Sequence, residues 1–228
     1  MQILMVLSSH DRVGDNGPKT GFWLEEFSAA YYVFKDAGAD ITLASPAGGQ
    51  PPIDPRSDGS DDHSEIVTRF KGDFTARTAL ADTLRLEQVA PEDFDAVVYL
   101  GGHGAMWDLP EDPVSQAVIA AVHAAGRPLA LVSHGAAALR HVVDGGGRPL
   151  VEGRRVTASA NSEEAATGLA ESLPFLLQDE LVRLGGLYSK GPDWISHIVR
   201  DGVLITGQNR DSAADAARAV LEILRQAE

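Results

Sequence analysis

The run Leu129-Ala130-Leu131-Val132-Ser133-His134-Gly135-Ala136-Ala137-Ala138-Leu139 decides the reading of this chain. Its first four residues are apolar and leave no place for charge, the pattern of a strand buried on both faces. The Gly-Ala-Ala-Ala-Leu run behind them has the small residues of a helix start. Ser133 falls at the bend. A side chain on a sharp strand-to-helix turn is pushed out of the sheet, while the next backbone N–H groups and the positive helix end point toward it, so an anion forming there is stabilised. The stretch is therefore a candidate nucleophile elbow, with Leu131 standing where the first Gly of Gly-x-Ser-x-Gly belongs. The plain alternative is an ordinary β-to-α connection in which Ser133 caps the helix.

Outward from the elbow the chain alternates strand and helix. Gln2 to Leu7 reads as a buried parallel strand, and Gly21 to Ala37 as a helix with Phe22, Phe27, Ala30, Tyr31 and Phe34 on one face, closed by Gly38. Ile41 to Ala44 follows as a second strand, completing a βαβ unit that implies a parallel sheet. Ser45 to Asp62 holds too many Pro and Gly residues for regular structure, and loops of this length are usually functional. His63 to Arg85 reads as polar helices over the surface, the centre of a small insertion or lid around 58–90. Ala96 to Leu100 is a strand that runs into Gly101-Gly102-His103-Gly104, where glycines let the backbone turn tightly and expose N–H groups. Helices are expected at Pro113 to Ala125, Pro174 to Leu184 and Ser212 to Gln226, and strands at Arg155 to Ala158 and Val203 to Thr206. This alternation predicts one domain over residues 1–228, of α/β class, with a doubly wound, mainly parallel sheet and helices on both faces. Ligands bind such sheets at the carboxyl ends of the strands, where the loop after the first strand, Gly101-Gly102 and Ser133 fall.

Composition narrows the chemistry. The chain has 228 residues, 44% of them hydrophobic, enough for a substantial core. A formal net charge of −14 repels phosphate backbones and anionic headgroups, which speaks against nucleic acid and membrane partners and leaves small neutral or electrophilic ligands. No apolar run approaches the ~20 residues of a membrane span, and the N-terminal residues lack a signal-peptide layout, so a cytoplasmic location is expected. The absence of cysteine removes disulfides, thiolate metal sites and thiol catalysis. His10, His63, His123, His141 and His197 show no ligand spacing of the His-Glu-x-x-His kind, so neither a metal nor another cofactor is expected.

Five segments together resemble a known family: Thr20-Gly21-Phe22-Trp23-Leu24-Glu25-Glu26, Gly101-Gly102-His103-Gly104, Val132-Ser133-His134-Gly135, Gly147-Arg148-Pro149-Leu150-Val151-Glu152-Gly153 and Ile205-Thr206-Gly207-Gln208-Asn209. Each is weak alone, but in this order they resemble the PfpI and Parkinsonism-associated deglycase superfamily of class I glutamine amidotransferase-like proteins. The nearest branch is that of heat-shock chaperones and glutathione-independent glyoxalases. The resemblance implies a flavodoxin-like fold, a homodimer and an active site made of an elbow Cys, the His after it, a Glu on the first helix and a downstream acid. Carried over, these fall on Ser133, His134, Glu26 and Glu164, with Glu163 as the fallback for the last; Glu26 is preferred to Glu25 for its interval to Gly38. The departure is Ser133, which either natural divergence or a Cys-to-Ser replacement trapping an inactive form would place there. A thiol near pKa ~8.5 is ionised by a helix end and a carboxylate, whereas an alcohol needs a positioned base. Adjacent residues entering a helix diverge by ~100°, which argues against direct contact between His134 and Ser133.

Other residues carry two readings each. Glu26 is either a desolvated carboxylate with a raised pKa or a solvated surface residue, as Glu25 is expected to be. His103 either touches ligand or caps its turn, and the Gly102 N–H joins that of His134 as an oxyanion donor. Trp107 and Met106 either wall the pocket or belong to the core. The leading expectation is glyoxalase-like conversion of a small carbonyl substrate, a 2-oxoaldehyde such as methylglyoxal, to a 2-hydroxy acid, with weak or absent turnover at Ser133. An amidase or peptidase-type hydrolase and a non-enzymatic stress chaperone or pseudoenzyme are the alternatives.

Overall fold

The computed structural model describes residues 1–14, 16–59 and 64–226. Ser60, Asp61, Asp62 and His63, which carry part of the expected loop, acidic cluster and insertion, lie outside the described residues.

Strand β1 (Gln2–Val6) lies in the interior of the main sheet because every residue from Ile3 to Leu7 is apolar and buried. It pairs in parallel with β2 (Asp40–Ser45) on one side and β4 (Ala96–Tyr99) on the other. Beyond β2 lies the short β3 (Leu84–Arg85), and beyond β4 come β5 (Leu129–Val132), β9 (Leu204–Gly207) and β8 (Ile198–Asp201). Among the described residues, seven strands make this sheet, parallel throughout except for β8, which returns antiparallel along β9. A doubly wound flavodoxin-like sheet is thus what forms. The β8 hairpin is an addition to the expected elements, since Ile198 to Asp201 is only half-apolar and lies on an edge.

Side chains alternate across each strand, and the two faces carry separate cores. Ile3, Met5, Leu7, Val98, Val132 and Ile205 face α1 (Leu24–Asp36) and α7 (Ala213–Gln226), joined by α2 (Glu65–Gly72) and α3 (Phe74–Ala81) through Val67, Phe70, Ala76 and Leu80. Leu4, Val6, Val97, Leu129 and Leu131 face α4 (Pro113–Ala124) and α6 (Leu177–Arg183). Each fully buried aliphatic side chain contributes about 1.5–3 kcal/mol relative to exposure, so the two layers together fix the sheet. A separate pair, β6 (Arg155–Val156) with β7 (Leu187–Tyr188), lies outside the main sheet.

Two local differences from the sequence reading bear on the site. Helix α1 starts at Leu24 rather than Gly21, because residues 21–23 are extended: the Phe22 N–H donates to Pro52 O at 2.9 Å, and the Asp54 N–H donates to Phe22 O at 2.9 Å. The Pro-rich loop is thereby stitched beside the helix start. The segment after Ser133 is a 3-10 helix, Ser133–Leu139, rather than an α-helix.

Candidate active site

The strand order reverses between β1 and β4, and the cavity sits just beyond the carboxyl ends there, as expected of open α/β sheets. It has a volume of about 260 Å³, and Glu26, Arg56, His103, Ser133, His134 and Glu164 are among the side chains that line it.

The elbow is built by close backbone approach. A Cβ on Gly101 would stand 2.6 Å from His134 N and 2.9 Å from Val132 O, so only glycine lets the end of β4 abut the turn after β5. Ser133 itself has φ 54°, a left-handed conformation that costs a non-glycine residue about 1–3 kcal/mol and clusters at functional sites. This turn corrects the expectation that Ser133 and His134 diverge. Ser133 does not lie on a regular helix, and its Oγ is 3.3 Å from His134 Nδ1. Ser159 Oγ lies 3.2 Å away on another side of the hydroxyl.

Glu26 enters from the first turn of α1 and is buried among its aromatic neighbours, while Glu25 is half-buried beside Arg210. Its carboxylate accepts a hydrogen bond from the Gly101 N–H and stands near enough to the Ser133 hydroxyl for that dipole to favour its anion. Burial pushes its pKa up to about 7, against the lowering pull of the Gly101 N–H, His134 and Ser133. A carboxyl group that gains and loses its proton near neutrality therefore stands beside the elbow hydroxyl.

Glu164 comes from α5 (Asn161–Thr167), and its neighbour Glu163 shows why the pair divides labour. On a helix the two side chains leave ~100° apart. Glu163 Oε2 turns back to the Ala160 N–H at 3.1 Å, and its Oε1 accepts from the Trp194 N–H and Asn209 Nδ2 at 2.9 and 2.8 Å. Glu163 thus holds the cavity wall together and does not reach His134. Glu164 faces inward, with Oε1 2.5 Å from His134 Nε2 and Oε2 3.1 Å from His103 Nε2. Burial opposes its charge, but the two imidazoles hold its carboxyl well below the usual carboxylate range. Burial likewise opposes charge on His134, yet Glu164 outweighs it and raises that ring's pKa; His103, beside His134 and Arg56, is lowered, chiefly by burial.

His103, His134 and Glu164 offer ligand atoms within 4.8 Å of one another, a spacing compatible with a metal ion. The hydrogen-bond directions do not fit one. Arg56 Nη2 donates to His103 Nδ1 at 2.9 Å, so that ring carries its proton on Nε2, and His134 Nε2 donates to the anionic Glu164. Both nitrogens that would ligate are occupied by hydrogens, and the cluster is arranged to hold protons.

Other expected residues divide. Gly102, at φ 114°, lines the cavity, and it is the Gly101 N–H that grips Glu26. Trp107 must be moved off the site: the chain turns through His103–Met106 and carries its ring onto His10, stacked at 5.1 Å, away from the cavity lining. Met106 is in the core beneath it. The aromatic walls are Trp23 and Trp194 instead. Sequence reading missed Arg56, Ser159, Trp194, Asn209 and Arg210. Of these only Asn209 lay in a quoted motif; Arg56 sat in a loop defined by its prolines.

With this geometry in place, comparison with known proteins shows what the chain is similar to. Residues 19–223 match the model of the DJ-1/PfpI family. The chain belongs to the DJ-1/PfpI family. The glutathione-independent glyoxalase HSP31 of Saccharomyces cerevisiae is 27% identical over 241 residues, with 98% of each chain covered. The crystal structure of glyoxalase III from Candida albicans superposes with a TM-score of 0.89 at 25% identity, covering 97% of this chain and 96% of that one. Rapid Encystment Protein 24 kDa of Francisella tularensis superposes with a TM-score of 0.91 at 35% identity, covering 97% of each chain. Among the described residues no helix is long and apolar enough to cross a membrane.

Proposed function

We propose that this chain is a glutathione-independent glyoxalase-type enzyme, converting a 2-oxoaldehyde such as methylglyoxal to a 2-hydroxy acid. The observation that carries the reading is Glu26, a carboxyl whose proton is balanced at about pH 7 and which stands beside the elbow hydroxyl. General acid–base groups work best with a pKa near the operating pH, and this reaction needs one group that both takes and returns a proton.

In the proposed sequence the Ser133 Oγ adds to the aldehyde carbon as its proton passes to His134 Nδ1, which then returns it to the resulting hemiacetal oxygen. Ionised Glu26 then removes the hydrogen on that carbon to give an enediolate, the hydroxyl proton on that carbon moves to the former ketone oxygen, and Glu26 returns its proton to the neighbouring carbon. The product is an ester on Ser133. Water, deprotonated by His134, cleaves it to the free hydroxy acid and restores the hydroxyl. Glu164 stabilises His134 as a cation in both transfers, and Gly102 and the His134 N–H are the backbone donors proposed for the oxyanion.

An alcohol is a weak nucleophile beside a thiol, so the sequence as it stands is expected to turn over slowly. The test is lactate formation from methylglyoxal by the unchanged protein, by Ser133→Ala and by Ser133→Cys. The expected result is a rise of at least about a hundredfold in Ser133→Cys, the low end of what one well-placed proton-transfer group supplies, and none in Ser133→Ala. Equal rates in all three overturn the reading. One observation favours a second reading, a Ser-His-Glu hydrolase: the 3.3 Å and 2.5 Å contacts joining Ser133, His134 and Glu164. Covalent labelling of Ser133 by a fluorophosphonate supports it, and no labelling counts against it.

A further inference from the structure

Arg56 stands one side chain beyond the groups used above, on the 3-10 turn Pro55–Ser57 of the Pro-rich loop. A guanidinium can only donate hydrogen bonds. Its Nε and Nη2 grip Asp54 Oδ1 and Oδ2 at 2.9 and 2.5 Å, and Nη2 also lies 2.9 Å from His103 Nδ1. Asp54 is itself buried and accepts from Thr20 Oγ1 at 2.9 Å, so the guanidinium has little freedom to turn away.

The direction of every later bond follows. His103 Nδ1 faces a donor and must offer its lone pair, so the ring is neutral with its one hydrogen on Nε2, aimed at Glu164 Oε2 at 3.1 Å. Glu164 is left to accept at both oxygens, which draws a hydrogen to His134 Nε2 at 2.5 Å. The remaining nitrogen of His134, Nδ1, is the one facing Ser133 at 3.3 Å. With no donor at His103 Nδ1, that ring can take a second hydrogen and become a cation. Its centroid is 4.2 Å from that of His134, and both rings share one carboxylate, so charge on His103 opposes charge on His134. Among the described residues, the charged and titratable groups facing the two rings, besides each other, are Arg56, Glu164 and Glu26.

We propose that Arg56 is a positioning residue: by donating to His103 Nδ1 it keeps that ring neutral, and so reserves Glu164 for His134 and Nδ1 of His134 for proton exchange with Ser133. Arg56 acts through His103 and Glu164 and needs no contact with the reacting carbons. Outer partners of this kind are as necessary to a site as the groups they hold.

The test reads the ring nitrogens directly, by long-range ¹H–¹⁵N NMR of the full-length protein labelled at histidine, with no substrate present. In the unchanged protein His103 shows a bare Nδ1 and a protonated Nε2 at neutral pH. In Arg56→Met, His103 gains a hydrogen on Nδ1, while Arg56→Lys, which keeps a donor, retains the original pattern. Arg56→Leu is measured alongside in case the methionine variant folds poorly; it too has no hydrogen-bond donor and is expected to match Arg56→Met. A second arm rests on the glyoxalase reading. In the Ser133→Cys background, Arg56→Met lowers kcat on methylglyoxal about 10–100-fold with KM moved less, and Arg56→Lys recovers most of the loss. Folded Met and Leu variants that keep a bare Nδ1 on His103 overturn the proposal. Failure of methylglyoxal turnover alone overturns the glyoxalase reading and leaves the ring-nitrogen result to stand.

Discussion

Glu26 and Glu164 reach the same cavity from opposite walls, and each is almost wholly buried. Among the described residues Glu26 accepts a hydrogen bond from the Gly101 backbone N–H alone, so burial dominates and its proton stays on until about pH 7. Glu164 is bracketed by two imidazoles and remains an anion far into acid. One side chain type thus supplies a proton carrier on one wall and a fixed negative charge on the other, and the surroundings alone decide which. Pairs of titratable groups driven apart in this way mark acid–base assignments in active sites.

The largest effect is expected from removing the carrier. In the Ser133→Cys background Glu26→Gln is expected to lower the methylglyoxal rate about 10²–10⁴-fold, read as lactate formed. A loss below tenfold would mean that the hydrogen travels by another group. Removing the fixed charge has its main effect on the fold. Glu164→Ala leaves two buried imidazoles without their anion, and breaking a buried pair from one side costs about 3–5 kcal/mol, measured by urea unfolding at pH 7. Because the folded pKa of Glu164 is lowered, its contribution is complete above the ordinary glutamate range and fades as pH falls through the folded value, so the deficit shrinks in acid.

The two carboxylates differ in sign as well. Glu26 is raised, so the folded state binds its proton more tightly than the unfolded chain does, and stability drops as pH rises from 4.5 toward 7. Glu26→Gln keeps the acceptor oxygen without the charge. It is expected to be more stable than the unchanged protein by about 3 kcal/mol above pH 7 and to match it near pH 4, so a variant that loses activity gains stability. The smallest effects sharpen the cavity's boundary. Ser159→Ala gives up one neutral hydrogen bond, about 0.5–1.5 kcal/mol, and lowers the rate by tenfold or less. Trp107→Phe leaves KM and kcat as they were.

How much of this was legible in the sequence is clearest at two pairs of neighbours. The rule that adjacent helical residues point apart holds at Glu163 and Glu164, where one turns back to the Ala160 N–H and the other into the cavity. The same rule fails at Ser133 and His134, because Ser133 adopts a left-handed turn that no periodicity announces. The sheet and its switch point follow from apolar runs that have no other burial available, so the fold reads directly. The β8 edge strand does not, since half of its side chains are polar. Arg56 was invisible for a different reason. Its role depends on a loop pinned to residues 21–23 by backbone bonds from Phe22 and Asp54, contacts that leave no trace in side-chain pattern. Trp107 misled because a large aromatic after a glycine turn suits a pocket wall and a stacked partner for His10 equally well.

The contrast between the two walls can be read in one sample, by ¹³C-carboxyl NMR titration of Glu26 and Glu164 in the protein with Ser133 intact. Glu26 is expected to titrate at about 7, while Glu164 stays ionised well below the ordinary 4.5. Both carboxyls titrating together near 4.5 would contradict it.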